Sequence, residues 1–430
     1  MTDPTRSQRD QRHAEQRFDI EVRRHLTRNF ITHLIHGMFG QTGFRLLNAP
    51  TFLPAYMLLL SDGSNFVVGL ALALQGLGAA ISPFLGASLV EHRKKALPVA
   101  MWIGAATRLQ ILIIAVAGLL LPREWALFLI LVALTVYGAF QGMQGVIFQF
   151  IMSKVIPVSR RGRLTGLRNF TAGLTAAGVA YAGGLWFLGN TPTIAGYSSI
   201  FVLAFVLASL GLAALLLMHE PELPNVVART SAGIDWARIP VLLREDKVFR
   251  RFVTARTLTT AGRLAMPFYI LYAAGHTTLT GSNLALLTIA FTLAGNVSNL
   301  LWGEIADRSG YRRVMLISLV IWIGSTLALF IAEGIGLTSL IFVGIGAASQ
   351  GFQNAASNIV LEFGSRKEVP MRLAISNSAS EAVGAIATLC AGLLATGFGY
   401  EAVFIASICF LVVGGYFIHR HVPDPRHRTS

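Results

Sequence analysis

Charged residues are scarce in this sequence. Of its 430 residues, 35 are Lys or Arg and 21 are Asp or Glu, so that 13% are charged, whereas a soluble globular protein carries about 25%. Hydrophobic residues make up 54%, glycine contributes 42 residues, and the mean hydropathy is +0.61. These values exclude an ordinary soluble enzyme and a disordered chain, and they indicate a membrane protein with several spans.

Cysteine is almost absent, and the motifs of common catalytic sites are missing. Cys390 and Cys409 both lie in apolar runs, which excludes a disulfide framework and favours a packing role. The sequence has no nucleophile elbow, phosphate-binding loop, zinc-ligand spacing or dinucleotide fingerprint. We therefore predict no enzyme activity, no catalytic residues, no metal and no cofactor. An ATP-driven pump is excluded because no soluble nucleotide-binding domain is present.

Long apolar runs fill most of the chain. A helix needs about 20 mostly apolar residues to cross a bilayer, and twelve such runs are present. No stretch alternates polar and apolar residues long enough for barrel strands. The predicted fold is an all-α membrane protein with twelve transmembrane helices. Their predicted limits are 30–60, 65–90, 96–121, 125–152, 165–188, 197–218, 250–274, 282–303, 314–332, 337–361, 371–396 and 400–418.

The net charge of +14 is distributed by topology. The odd-numbered loops hold one basic residue, Arg123, whereas the N-terminal arm and the even-numbered loops hold many. The positive-inside rule therefore places both termini in the cytoplasm. Nucleic-acid binding is not expected because the charges are divided among short loops. Contact of these basic residues with anionic lipid head groups is expected. The basic residues of the even loops are Arg93, Lys94, Lys95, Lys154, Arg160, Arg161, Arg163, Arg168, Arg308, Arg312, Arg313, Arg366, Lys367 and Arg372.

The two halves of the chain repeat one another. Arg45 and Arg263 are separated by 218 positions, and so are the two GSN segments at 63–65 and 281–283. The segment QGMQ at 141–144 returns as QGFQ at 350–353. Six spans repeated in one orientation imply two bundles related by an axis along the membrane normal, with a site between them. The predicted organisation is an arm (1–28), a first bundle (29–218), a linker (219–249), a second bundle (250–420) and a tail (421–430).

Over residues 29–420 the chain resembles the major facilitator superfamily of secondary transporters. The most specific element is GEIADRSGYRR at 303–313, which is similar to the family's loop signature G-x-x-x-D-R-x-G-x-R-R. In the first-half copy Val90 occupies the place of the acid, and Gly138 stands where proton-linked drug exporters carry an arginine. The resemblance implies alternating access by a monomer. It also implies a cytoplasmic gating loop formed by Gly303, Asp307, Arg308, Gly310, Arg312 and Arg313.

Polar side chains lie inside the predicted spans. An arginine at mid-bilayer costs about 2.5–3.5 kcal/mol on insertion scales and normally faces a cavity or a partner. Arg45 and Arg263 occupy equivalent places in spans 1 and 7, and in the resembled fold spans 1, 4, 7 and 10 line the central cavity. A guanidinium matches a carboxylate or phosphate, which predicts an anion clamp. The predicted substrate-binding residues are Arg45, Arg263, Gln41, Asn48, Gln141, Gln144, Gln350, Gln353 and Asn354.

Other embedded groups allow two interpretations each. Glu381, the one acid near mid-membrane, is the leading proton carrier, or it is a counter-ion for Arg263. His33 and His36 could titrate near neutral pH, although an interfacial position is favoured. For Arg108, on span 3, a structural role is favoured.

The predicted function is secondary transport of a small organic solute, expected to be anionic, across the inner (cytoplasmic) membrane, coupled to protons or to exchange. The alternatives are a proton-linked exporter of amphipathic compounds and a non-transporting membrane sensor or assembly factor.

Overall fold

Apolar length and helical propensity produce an almost entirely helical chain. The computed structural model describes residues 15–90, 92–223, 238–278, 280–360, 363 and 369–423, and within these it contains no strand. The helices form twelve spans in two six-helix bundles. Parts of the predicted arm, linker and tail lie outside the described residues, as do Arg366 and Lys367.

The first bundle contains spans 1 to 6, and several spans are helices with a break or a tightened end. Their bounds are Leu26–Asn48 with Phe52–Leu60 (span 1), Asn65–Val90 (span 2), Leu97–Leu120 (span 3), Arg123–Val155 (span 4), Val158–Gly183 with the π-helical turn Gly184–Leu188 (span 5), and Ile194–Ala214 with the 3₁₀ turn Leu215–Leu217 (span 6).

The second bundle follows a short helix at Arg238–Glu245 and repeats the arrangement. Its bounds are Lys247–Ala261, Gly262–Ala265 and Met266–His276 (span 7), Gly281–Ser309 (span 8), Tyr311–Ala328 with Leu329–Ile331 (span 9), Gly334–Ile359 (span 10), and Val369–His421, which Gly399 divides into spans 11 and 12.

Nine described helices are long and apolar enough to cross a membrane, and one of them, Met371–His421, contains both span 11 and span 12. Spans 1 and 7 complete the twelve. Span 1 is not among the nine although its first helix, Leu26–Asn48, has 23 residues, because that helix is rich in polar side chains.

Spans 1 and 7 break at equivalent depths. Span 1 is interrupted at Ala49–Pro50–Thr51, and span 7 tightens into a 3₁₀ turn at Gly262–Ala265 just before Pro267. Proline has no backbone N–H, and its ring clashes with the preceding helical turn. Arg45 and Arg263 lie five and four residues before these prolines. The repeat therefore places both guanidiniums beside an interruption in a helix.

Glycines let the helices within each bundle approach closely. A Cβ atom added at Gly138 on span 4 would lie 2.0 Å from the carbonyl oxygen of Gln75 on span 2. In the second bundle, a Cβ atom at Gly346 on span 10 would lie 2.2 Å from the carbonyl oxygen of Phe291 on span 8. No side chain fits at Gly138, so an arginine of the drug-exporter type is sterically excluded there.

The bundles meet in one half of the membrane thickness. We call the end that carries both chain termini the termini end, and the opposite end the far end. Among the described residues, four hydrogen bonds join the bundles, and all lie between mid-span and the far end. They join Gly281 N to Gly189 O (2.6 Å), Tyr400 to Asn65 (2.8 Å), Thr288 to Thr51 (2.8 Å) and Arg45 to Asn296 (3.0 Å). The bundles are therefore closed against each other at the far end.

A buried acid and base fix the termini end of the first bundle. Glu220, just after span 6, accepts hydrogen bonds from the backbone N–H groups of Ala96 and Leu97 at the start of span 3, each 2.8 Å. It also pairs with Lys154 at 2.8 Å, and both side chains are almost fully buried. Lys154, predicted as a loop charge, is thus part of the packed end of the bundle.

The second bundle has a similar device. Asp246 caps span 7 by accepting from Val248 N (3.1 Å) and Phe249 N (2.9 Å), and it pairs with the buried Arg372 at 2.5 Å. Burial raises the pKa of Asp246, but hydrogen bonds from the Phe249 amide and Arg372 outweigh it, so the pKa lies below its ordinary value. Arg372, also predicted as a loop charge, ties the start of span 11 to span 7.

Candidate functional site

A central cavity of about 470 Å³ lies between the bundles and is lined from both. Its volume is that of a site for a small organic molecule. Six of the predicted site residues contribute to its wall: Asn48, Gln141, Arg263, Gln350, Gln353 and Glu381.

A smaller cavity of about 140 Å³ adjoins the central one. Arg45 lines the smaller cavity, together with Asn296 and Thr292 of span 8. The two cavities share four residues of their walls: Asn48, Ala49, Phe291 and Gln350. The sequence predicts that Arg45 and Arg263 face one cavity, but in this conformation they line adjoining ones. The difference arises because the side chain of Arg45 is drawn toward span 8.

Arg45 is half-buried and makes hydrogen bonds in both bundles. Its Nη2 donates to Asn296 Oδ1 at 3.0 Å and to Gln41 Oε1 at 3.3 Å, whereas Nη1 has no acceptor in the described part of the chain. Gln41 also donates to Asn169 of span 5 at 3.3 Å. Gln41 therefore lies behind the guanidinium and orients it, and does not line either cavity.

Arg263 and Glu381 line the central cavity together. The Nη1 atom of Arg263 lies 3.5 Å from Gln353 Oε1, and no basic group of the described chain lies within the 4.0 Å of an ion pair with Glu381. Arg256, two turns earlier in span 7, interacts electrostatically with Glu381 but donates its hydrogen bonds to Ser376 and Asn377. Glu381 is thus half-buried and faces the cavity without a bound counter-ion.

The amide side chains divide into lining and supporting groups. Asn48 donates to Tyr137 Oη at 2.7 Å and accepts from Gln75 Nε2 at 2.7 Å, so span 2 contributes to the site. Asn354 donates to Asn299 Oδ1 at 2.6 Å and does not line either cavity. Gln144 also lines neither cavity. Its Oε1 is buried without a hydrogen-bond partner in the described structure.

Sequence reasoning missed the contribution of spans 2 and 8. Gln75 and Asn296 line the cavities, and Asn299 lies directly behind Asn354. The sequence prediction does not include them because it considers only the polar residues of spans 1, 4, 7 and 10. The spacing of Asn296 and Asn299, three residues apart in an apolar helix, places both on one face. That spacing is the signal that could have identified them.

Two further arginines of the first bundle, Arg108 and Arg168, line neither cavity. Arg108 donates to the carbonyl oxygens of Ala208 and Gly104, each at 2.7 Å, as the structural interpretation expects. Arg168, predicted as a loop residue, lies inside span 5 with its guanidinium 4.2 Å from the ring centroid of Phe148.

The two histidines of span 1 are buried between helices of the first bundle. His36 Nδ1 lies 2.8 Å from Gly211 O, and His33 packs edge-on against Phe148, at 5.2 Å between ring centroids. Their burial follows from the packing of spans 4 and 6 over the first turns of span 1.

The described hydrogen bonds and ion pairs of the predicted gating loop lie within the second bundle. Arg308 pairs with Glu304 at 2.5 Å on the surface, and Arg312 donates to the carbonyl oxygen of His419 on span 12. Gly310 has a φ of +82° and allows the tight turn between spans 8 and 9. A Cβ atom at Gly303 would meet no atom within 4 Å. The side chain of Asp307 lies outside the described residues.

Comparison with known proteins gives a family match and several similar folds. The model of the Major Facilitator Superfamily matches residues 252–430. No curated protein sequence matches the chain. A mutant of the nucleoside transporter NupG is 15% identical, with a TM-score of 0.71, over 92% of this chain and 100% of that one. A D-xylose-proton symporter is 12% identical, with a TM-score of 0.72, over 94% and 99%.

The human organic anion transporter MFSD10 (TETRAN) is also similar, at 12% identity and a TM-score of 0.64 over 91% of this chain and 99% of that one. At these identities the structures share the fold alone. The family match covers the second bundle, and the shared fold extends over both. Residues 252–430 thus match the Major Facilitator Superfamily model, and the whole chain shares its fold with these solved transporters.

Proposed function

We propose that this protein is a secondary transporter that moves a small organic anion across the inner membrane by alternating access, with both termini in the cytoplasm. The observation that carries the proposal is the pair of arginines at equivalent breaks in spans 1 and 7, beside adjoining cavities between the bundles. A monomer suffices, because one chain supplies both bundles and the whole site.

The charge of the site favours an anion. The ionisable residues that line the two cavities are Arg45, Arg263 and Glu381. With Glu381 ionised their formal charges sum to +1, and with Glu381 protonated they sum to +2. An arginine costs about 2.5–3.5 kcal/mol to insert at mid-bilayer, and an anionic cargo offsets part of that cost for each of the two. A cationic or strongly apolar cargo does not.

Protonation of Glu381 provides a coupling mechanism. An anion that enters a cell moves against the negative interior, at about 2.3 kcal/mol per charge per 100 mV. A proton on Glu381 raises the positive charge of the site when the anion binds and reduces the charge that crosses with it. Proton coupling and organic-anion transport both occur on this fold in the similar proteins, as the names of the xylose-proton symporter and the human organic anion transporter state.

The proposal is tested with the purified full chain in proteoliposomes. We expect accumulation of one or more labelled carboxylates or organic phosphates, and none of neutral sugars or nucleosides. If transport is coupled to protons, an imposed pH gradient should increase accumulation. If transport is coupled to exchange, anion preloaded inside the vesicles should increase accumulation. Transport restricted to amphipathic compounds would replace the proposal with the exporter alternative. Absence of transport across the whole panel would favour a sensor or assembly role.

A further inference from the structure

Two histidines meet at the termini end of the first bundle, and neither lines a cavity. His25 directly follows a helix at residues 15–24, which we call the N-terminal helix, and His219 lies at the start of the linker after span 6. Their ring centroids are 3.9 Å apart, with 32° between the ring planes. Nε2 of His219 also lies 2.6 Å from Oε1 of Glu21 in the N-terminal helix.

Span 1 fixes the backbone on which His219 is carried. The Nδ2 atom of Asn29 donates to His219 O, and the Oδ1 atom of Asn29 accepts from His219 N, each at 2.9 Å. The N-terminal helix then reaches the imidazole of His219 through Glu21 and His25. We call the contacts of His219 with Glu21 and His25 the clasp.

The clasp binds a first proton favourably and a second one unfavourably. With one proton on His219, an imidazolium faces the carboxylate of Glu21, and such a pair is stronger than a hydrogen bond between neutral groups. A second proton places like charges on two rings whose centroids are 3.9 Å apart, and like charges that close disfavour the doubly charged state.

The pKa of His25 is lowered from its ordinary value of 6.5, and desolvation is the largest cause. Nearby positive groups lower the pKa of His25 further, and one acid opposes them. The positive groups are His219, Arg24 and Arg28, and the acid is Glu21.

The other acids at the start of the linker are engaged elsewhere. Glu220 pairs with the buried Lys154, and Glu222 pairs with Lys95. Among the described residues, Glu21 is thus the acid that is paired with the two histidines. One carboxylate compensates one imidazolium and leaves the second uncompensated.

We propose that the clasp is a pH-sensitive switch at the termini end, closed while the two histidines hold at most one proton and opened when each holds one. Opening releases the N-terminal helix from the start of the linker. Asn29 joins span 1 to the same segment, and span 1 lines both cavities. The switch therefore connects the pH at the termini end to the anchoring of a helix of the site, whatever the cargo is.

Acid opens the switch, because the pKa of His25 is lower in the closed clasp than its ordinary value. The contribution of His25 to closure is complete above about pH 6.5 and is lost as the pH falls through the lowered pKa. For one proton, the opening equilibrium rises by up to about tenfold per pH unit in that window.

The test follows the thiol reactivity of single cysteines on the N-terminal helix of the purified full chain, after Cys390 and Cys409 are replaced by serine. Val22→Cys is at a position that is 6% exposed and becomes reactive when the helix is released. Ile20→Cys is at a position that is 65% exposed and reacts in either state. The ratio of the two rates with a maleimide cancels the effect of pH on the thiol itself.

We expect the ratio of the Val22→Cys rate to the Ile20→Cys rate to be low above about pH 7 and to rise about threefold or more by pH 5.5. His25→Gln cannot take the second proton and should keep the low ratio throughout. His219→Gln loses the ion pair with Glu21, so its ratio should be raised already at pH 7.5 and should change little in acid.

The matched control is His276→Gln, at the far end, which should reproduce the pH curve of the unsubstituted clasp. A ratio that stays constant down to pH 5.5 with the clasp intact would overturn the switch, and so would an equal rise in His25→Gln. Size-exclusion profiles at each pH verify folding. If Val22→Cys is unstable, hydrogen exchange of residues 217–223, corrected for the intrinsic effect of pH, gives the same comparison without a reporter cysteine.

Discussion

At the scale of single residues, the geometry of the guanidinium matters more than its charge. Arg45 Nη2 donates to two acceptors on different helices, Gln41 and Asn296, and Nη1 has no acceptor among the described residues. A lysine has one nitrogen on a flexible stem and cannot reproduce this planar fork. The same reasoning applies to Arg263 beside Gln353.

We therefore expect Arg45→Lys and Arg263→Lys each to reduce anion uptake by about tenfold or more, since each loses at least one charge-assisted bond. Initial uptake rates in proteoliposomes measure the effect. Arg250→Lys, at an exposed position of span 7, is the control and should transport normally. Full transport by both cavity variants would rule out an anion clamp.

Glu381 faces the central cavity without an ion pair to any described basic group, so a neutral replacement should be tolerated structurally. Glu381→Gln imitates the protonated acid permanently. We expect loss of proton-driven accumulation with solute-for-solute exchange largely intact, both measured against an imposed pH gradient. Loss of both activities would indicate a structural pair with Arg263. Retention of both activities would indicate that another group carries the proton, and His33 and His36 would be tested next.

At the scale of helices, glycines decide how closely the bundles meet. A Cβ atom at Gly281 on span 8 would lie 2.0 Å from the carbonyl oxygen of Gly184 on span 5, at the far end. No side-chain rotation relieves a contact with backbone. A substitution there must therefore separate the bundles, or shift the population toward a state in which they are already separate.

We expect Gly281→Ala to increase the fraction of molecules open at the far end and to slow transport. The measurement is labelling of Gln75→Cys, a cavity-lining position, by an impermeant thiol reagent applied from either side after Cys390 and Cys409 are replaced by serine. Gly178→Ala, where an added Cβ atom meets no atom within 4 Å, should label as the parent does. Equal labelling of both variants would show that this contact does not control closure.

The ion pair of Asp246 and Arg372 gives a helix-scale prediction about pH. Because the pKa of Asp246 is lower in the folded protein than its ordinary value, its contribution to stability is present above about pH 4 and is lost as the pH falls through the folded-state pKa. Asp246→Asn should lower the unfolding temperature at neutral pH and flatten its acid dependence.

The matched control is Glu222→Gln, which removes an exposed pair with Lys95 at 3.4 Å. Exposed pairs contribute about 0–1 kcal/mol, so little change is expected. Thermal unfolding from pH 7 to pH 3 compares the three proteins. An acid dependence of Asp246→Asn identical to that of the wild type would contradict the assignment.

At the scale of the whole molecule, the two bundles behave as bodies held together at one end. The described polar contacts of the gating loop at 303–313 lie in its own bundle, through the Glu304–Arg308 pair and the bond from Arg312 to His419 O. A loop that gates the termini end must make its contacts with the first bundle in the opposite state. The structure is consistent with that alternation because the hydrogen bonds joining the described parts of the bundles lie toward the far end.

Asp307→Asn preserves shape and removes charge. We expect it to shift the balance of the two states and to slow turnover, with nearly unchanged substrate affinity, because the shift is limited to the difference in stability between the states. The Gln75→Cys labelling assay reports the balance, and counterflow reports turnover. Normal turnover and normal labelling from both sides would show that Asp307 does not gate transport and that the loop motif only reflects membrane topology.

The sequence alone determined the class, the number of spans, the internal repeat and the equivalence of Arg45 with Arg263. Local hydropathy and residue spacing determine these properties, because each span must form the hydrogen bonds of its own backbone within the bilayer. The break beside each arginine is also local, since Pro50 and Pro267 interrupt a helix wherever it packs.

Only the tertiary structure decided which polar groups share a cavity. Asn296 and Gln75 belong to spans 8 and 2, Arg45 and Arg263 line different cavities, and His33 and Lys154 are buried between helices. Each of these outcomes depends on which helix faces meet. Contacts between helices far apart in the chain set those faces, and the hydropathy of a single span, nearly uniform around its axis, does not encode them.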